Sequence, residues 1–273
     1  MFLNVLSSWP SRWKFASYNL PKEEVLRVDT TSGVEMSFSN INSLLAYTPK
    51  SKSGLSSWLD NSTIYEVLSS FAAFLGDKRN IVMNSDASHG LIQLIINQGN
   101  DESVIEDGYE RFKDIFKRQY KNMFSSKDSC IHIPVNEPQL LHWNFALVLV
   151  EKKSIIVHDP LFKEERVKAI GSAIFRICCL ESGEDTSRMK DWNIKTTIQH
   201  PQQKDAVNCG VFTMISSIRA MCLIKMNRIH DLYQSWSFPS QPKDLVEYRR
   251  RFAKILLDDD KEVELAKFVK MFS

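Results

Sequence analysis

The sequence predicts an α+β fold, a central mixed and largely antiparallel sheet flanked by helices, with one helix buried behind the sheet. Three observations carry that reading. Residues 143–150 (WNFALVLV) are apolar almost throughout, as in a strand covered on both faces. Lys152, Lys153 and Ser154 then make a short turn into a second strand over 154–158 (SIIVH). Residues 210–224 are apolar nearly all round a helical wheel, so that helix must be enclosed by its neighbours.

The other elements follow in chain order. Residues 48–57 read as a loop, after which Ile64, Val67, Leu68, Phe71 and Leu75 share one helical face behind an Asp60–Asn61–Ser62 capping cluster. A second helix is expected over 108–120, with Tyr109, Phe112, Ile115 and Phe116 inward. Residues 130–135 give a short strand, 167–180 a helix, 193–199 another strand and 201–208 the loop into the buried helix. Two C-terminal helices carry apolar stripes, Leu245, Tyr248, Phe252 and Ile255 on the first, Leu265, Phe268, Val269 and Phe272 on the second. No repeat or linker divides the chain, which reads as one domain with an N-terminal arm containing Trp9 and Trp13.

Composition narrows the class. The chain has 273 residues, 43% hydrophobic and 25% charged, with a net charge of +2. That balance is ordinary for a globular enzyme and gives no electrostatic footprint for nucleic acid. The one basic run, Arg249-Arg250-Arg251, is nearly cancelled by Asp258-Asp259-Asp260. Cys130, Cys178, Cys179, Cys209 and Cys222 are odd in number and lack metal-ligand spacing, so neither a disulfide framework nor a zinc site is expected. Residues 1–20 lack the apolar core of a signal peptide, and no stretch approaches a membrane span. These features point to a reducing compartment, the cytoplasm or nucleus, or a host cell entered by a secreted effector.

The chemistry concentrates in four residues. His142 opens the first long strand, and Asp159 ends the next. If those strands form a hairpin, both side chains come to the same end of the sheet, where the carboxylate can orient the imidazole. Cys209 heads the buried helix, where peptide dipoles and free N–H groups favour an anion and make the thiol a better nucleophile. Gln203 lies in the loop just before, with an amide to donate to an oxyanion beside the Cys209 N–H. Each piece is commonplace alone; together they specify a thiol hydrolase. His158 is a rival base, but strand alternation turns it away from Asp159, and His132 lies within a strand without a carboxylate partner.

The pattern His142-Trp143, Asp159 and Gln203 six residues before Cys209-Gly210 resembles the Ulp/SENP family of cysteine proteases. So do the motif Trp58-Leu59-Asp60-Asn61 and the segment 237–257. The resemblance covers residues 37–257, leaving 1–36 as an arm and 258–273 as an extra helix. It implies a Ulp-type fold and a monomeric thiol peptidase that needs no cofactor, metal, nucleic acid or membrane. The partner implied is a ubiquitin-like modifier (SUMO, NEDD8 or ubiquitin), cut after Gly-Gly. Trp58 and Trp143 would flank the Gly-Gly tail, and only glycine lets a backbone pass between two indole faces. Asp60, Asn61 and Asn208 would contact the modifier. The order Asp60-Asn61 reverses the family's, and Asn208 replaces its usual Asp, departures that touch modifier preference rather than catalytic atoms. Competing readings are the clan's coenzyme A-dependent acetyltransferases, a polyprotein-processing protease and an inactive modifier-binding module. Asp159 and the tryptophan pair disfavour the acetyltransferase, and the full set of four polar residues disfavours the inactive module.

Overall fold

In a computed structural model, the structure describes residues 25–28, 35–45, 58–98, 101–119, 123, 126–183, 186–196, 201–257 and 261–272. Most of the N-terminal arm, with Trp9 and Trp13, the loop over 48–57 and the acidic triplet at 258–260 lie outside the described residues. A small antiparallel hairpin, β1 (Val25–Val28) and β2 (Glu35–Ser37), precedes α1 (Phe38–Leu45). Then come α2 (Asn61–Leu75), β3 (Asn80–Val82), α3 (Ser85–Gln98), α4 (Glu102–Gln119), β4 (Cys130–Glu137), β5 (His142–Leu149) and β6 (Ser154–His158). The chain continues with α5 (Glu164–Ser182), β7 (Asn193–Thr196), α6 (Cys209–Lys225), α7 (Pro242–Leu257) and α8 (Lys261–Phe272).

The main sheet runs β3-β4-β5-β6-β7, antiparallel through its centre and parallel at both outer pairs. Every residue of β5 is buried, as its continuous apolar run requires. Alternation sorts the side chains. Ala146, Val148, Ile155 and Val157 meet α3, α4 and α5 on one face. Phe145, Leu147, Leu149 and Ile156 meet α6 on the other. Helix α6 is covered in turn by α1, α2, α7 and α8, and fifteen of its residues are buried. Pro134 sits in β4 beyond the reach of β3, which pairs only with residues 130–132, so its missing N–H interrupts no ladder on that side.

One expectation is revised and others are extended. Helix α4 begins at Glu102, after Asp101, whose carboxylate accepts from Val104 N, and Gly108 lies inside it. A Cβ on Gly108 would fall 1.9 Å from Leu94 Cδ2, so the glycine serves a close helix crossing and is no helix start. The side chains of Phe112, Ile115 and Phe116 lie outside the described residues. Helix α3 and strand β3 had no counterpart in the sequence reading; of the strand expected over 193–199, β7 covers the described part, Asn193–Thr196, and 197–199 lie outside the described residues. Helix α8, the extra helix beyond the family resemblance, packs by its apolar stripe: Phe268 is fully buried against Phe71, Tyr248 and Phe252.

Candidate active site

The β5–β6 hairpin brings His142 and Asp159 to one end of the sheet. Phe145 pairs with His158, so the chain leaving β6 passes beside the start of β5. There His142 Nε2 donates to Asp159 Oδ1 at 2.8 Å, with both residues buried. The turn after β6 locks the carboxylate. Leu161 N donates to Oδ1, and Lys163 N and Arg166 Nη1 donate to Oδ2, at 2.9, 2.9 and 3.1 Å. The Cys209 thiol is close enough to raise the ring's proton affinity, and with Nε2 engaged, Nδ1 is the nitrogen left to meet it.

The electrostatics follow. Burial opposes the charged ring, but the hydrogen bond to Asp159 and the nearby Cys209 outweigh it and lift His142 to about 9. Burial also opposes the Asp159 anion, yet the His142 hydrogen bond and the Leu161 and Lys163 N–H groups hold it below the usual carboxylate range. The pair is a charged imidazole on a fixed carboxylate at neutral pH, able to give a proton and take it back.

Cys209 is the first residue of α6, whose opening N–H groups have no partner within the helix. A cluster of polar contacts holds this start in place. Asp205 Oδ1 accepts from Val207 N and Asn208 N, each at 2.9 Å. Asn208 Nδ2 donates to Asp205 Oδ2, and its Oδ1 accepts from Arg249 Nε at 2.7 Å. Arg249, in α7 and 1% exposed, also donates to Val207 O and Ser43 O. Gly210 makes room: a Cβ there would lie 3.1 Å from Leu59 and 3.2 Å from Ile64.

The remaining candidates are corrected in part. Asn208 is fully buried and ties Asp205 to Arg249. Asp205 also explains why Asn stands at that position, since an Asp would set a second carboxylate against the first. Asp60 caps α2, accepting from Thr63 N and Oγ1, and Asn61 Oδ1 accepts from Asn136 Nδ2. Both polar groups are engaged within the fold. The Gln203 backbone N–H donates to Pro160 O at 2.8 Å, which places the loop beside Asp159. Its amide NH₂, expected toward an oxyanion, instead donates to the Asp205 carbonyl, and its Oε1 is buried without a partner in the described structure.

Trp58 and Trp143 do meet, with centroids 5.7 Å apart and planes tilted 31°. A peptide between them would need roughly 7 Å, two van der Waals layers, so no corridor runs between the indoles as they stand. Trp143 is fully buried and donates to Leu59 O, and half-buried Trp58 donates to Leu141 O. The rival histidines are elsewhere. His132 bonds Ser217 and Asn80, and His158 bonds Ser216. His158 thus lies against α6, two turns past Cys209, and not on the thiol. Among the described residues no cluster of His, Cys, Asp or Glu is built to hold a metal, and no helix is long and apolar enough to cross a membrane.

A family model described as the Ulp1 protease family, C-terminal catalytic domain, matches residues 92–253, a span that includes His142, Asp159, Gln203 and Cys209. The chain belongs to that family. It is therefore a cysteine peptidase, a thiol-dependent hydrolase. Solved structures share the fold at low identity. The C-terminal Ulp1 protease domain in complex with Smt3, the yeast ortholog of SUMO, is 18% identical, with TM-score 0.58 and 89% and 90% of the two chains covered. The Ulp1-like SUMO protease catalytic domain of Chaetomium thermophilum is 18% identical, with TM-score 0.58 and coverage of 92% and 90%. The SUMO protease Ulp1 with its catalytic cysteine oxidised to a sulfenic acid is 17% identical, with TM-score 0.56 and coverage of 84% and 87%. No curated protein matches the sequence.

Sequence reasoning missed Arg249, Asp205, Arg166 and Glu137. Arg249 adjoins Tyr248 and precedes Phe252 by one turn, so the apolar stripe of α7 already marked its side as inward. The other three gave no periodic signal.

Proposed function

We propose that this Ulp1-family peptidase cuts after the Gly-Gly at the C-terminus of a ubiquitin-like modifier, maturing or deconjugating it, with SUMO first to test before NEDD8 and ubiquitin. The observation that carries the reading is the His142–Asp159 pair at 2.8 Å beside Cys209 at the head of α6. SUMO ranks first because the solved relatives of the same fold include SUMO proteases, one bound to Smt3.

In this reading the thiol proton already rests on His142, Asp159 holds that imidazolium, and Cys209 Sγ attacks the glycine carbonyl. The oxyanion accepts from the Cys209 N–H and from the Gln203 amide, which must first rotate off Asp205. His142 then protonates the leaving amine, and water, deprotonated by His142, hydrolyses the thioester. Cys209 is fully buried, so a tail reaches it only when a neighbour moves; the half-buried Trp58 ring is the candidate, and glycine offers the least bulk against Trp143. The thiol chemistry suits a reducing compartment, the cytoplasm or nucleus.

The test is incubation with propargylamide derivatives of SUMO, NEDD8 and ubiquitin, with Cys209→Ala alongside. A covalent adduct with one modifier, absent in the variant, is expected. No adduct with any of the three removes the modifier reading.

A further inference from the structure

We propose that Arg166 and Glu137 form a charge-balanced pair that positions Asp159 and sets the pH at which His142 exchanges its proton. The proposal rests on the reading of His142, Asp159 and Cys209 as the catalytic groups.

Arg166 lies in the first turn of α5, where a cation opposes the helix dipole and its placement calls for a local partner. It has two. Its Nη1 donates to Asp159 Oδ2 at 3.1 Å, and its Nε lies 3.4 Å from Glu137 Oε1. All three side chains are largely covered, at 18% exposure for Arg166, 12% for Glu137 and 0% for Asp159. Glu137 stands directly opposite His142 in the β4–β5 register, and its Oε1 accepts from Asn144 Nδ2. A second carboxylate is therefore fixed on the neighbouring strand, with a guanidinium shared between it and Asp159.

The consequence is electrostatic. Facing the His142–Asp159 pair are Glu137 from β4, Arg166 from α5, Cys209 from α6 and His158 at the end of β6. His158 is neutral because burial lowers it to about 4. Lys163 contributes its main-chain N–H. Two anions without Arg166 would raise the proton affinity of His142; Arg166 without Glu137 would lower it. Present together they offset, and the fork of Arg166 keeps Oδ1 turned to Nε2. Arg166 is a positioning residue, since it touches neither thiol nor imidazole.

The test uses the full chain with labelled histidine, reading the His142 titration midpoint by NMR in a Cys209→Ala background. The pH dependence of Cys209 alkylation by iodoacetamide is followed in parallel with the thiol intact. Arg166→Met is expected to move both midpoints up by about one pH unit and Glu137→Gln down by about as much, while the double variant returns to the starting value. Arg166→Lys keeps the charge and leaves the midpoint near its original place. Unmoved midpoints, or shifts of the same sign in folded variants, would overturn the proposal and leave Arg166 a plain fold contact. Should Arg166→Met not fold, the near-isosteric Glu137→Gln decides alone: no downward shift overturns it. Opposite shifts in a chain that cuts no modifier would support the pair while refuting the substrate reading, so the two failures are separable.

Discussion

Helix α6 meets buried histidines at two places, with opposite outcomes. At its N-terminal end His142 bonds a carboxylate and rises to about 9; two turns further on, His158 and His132 bond the hydroxyls of Ser216 and Ser217 and fall to about 4 and about 3. Burial is severe at both, so burial does not make the catalytic base. A hydroxyl partner leaves desolvation to win and keeps the ring neutral; an anion reverses the balance. The same contrast separates machinery from scaffold along one helix–sheet interface.

The largest effect on that contrast comes from removing the nucleophile. Cys209→Ala should abolish peptidase activity, a loss of about 10⁵-fold or more in kcat by analogy with triad knockouts, and leave the melting temperature within a few degrees. Asp159→Asn converts the active-site histidine toward the scaffold type. It should cost about 10⁴-fold in kcat at neutral pH, with KM little changed. Gln203→Ala is expected to cost about 10²–10³-fold in kcat if its amide leaves Asp205 for the oxyanion. An undiminished kcat would show that it stays on the Asp205 carbonyl.

Stability against pH sharpens the comparison next. His132 and His158 have folded values below the unfolded one, so the unfolded chain binds more protons in acid. Their contribution is intact above about pH 6.5 and is lost as pH falls toward 4 and 3. By pH 5 each has cost about 2 kcal/mol. His142 works oppositely: its contribution is full below about 6.5 and is lost as pH rises through about 9. Urea unfolding should therefore find a maximum near about pH 7, with stability falling toward acid and again as pH rises through about 9, and a His132→Asn/His158→Asn variant should flatten the acid side. The smallest effect expected is Ser217→Ala, about 1 kcal/mol in the same assay, with activity retained.

How much of this was legible follows the same division. The hairpin, the enclosed helix and the order of His142, Asp159 and Cys209 show in the sequence because a continuous apolar run, a short turn and a helix start are local signals. The supports are not local. Arg249 stood in the sequence as one member of a basic run, and though the α7 stripe marks its side as inward, its partners, the two residues before Cys209, show only in the fold, where it is 1% exposed. Gly108 looked like a helix start because its contact with Leu94 is made in space. Helix α3 was overlooked because its buried residues Leu91, Ile92 and Ile95 are interrupted by polar ones, and β3 is only three residues long. Asp60 and Asn208 resemble substrate contacts in a motif, yet their partners are Thr63 and Arg249.

The most direct test of the carboxylate's role is an NMR titration of the histidine rings in the intact protein and in Asp159→Asn. The account expects the His142 ring to stay charged through neutral pH, with a midpoint near 9 that drops by at least a unit in the variant. His132 and His158 should stay neutral down to the acid unfolding edge. A His142 midpoint at or below the ordinary value of about 6.5, unchanged in Asp159→Asn, would contradict it.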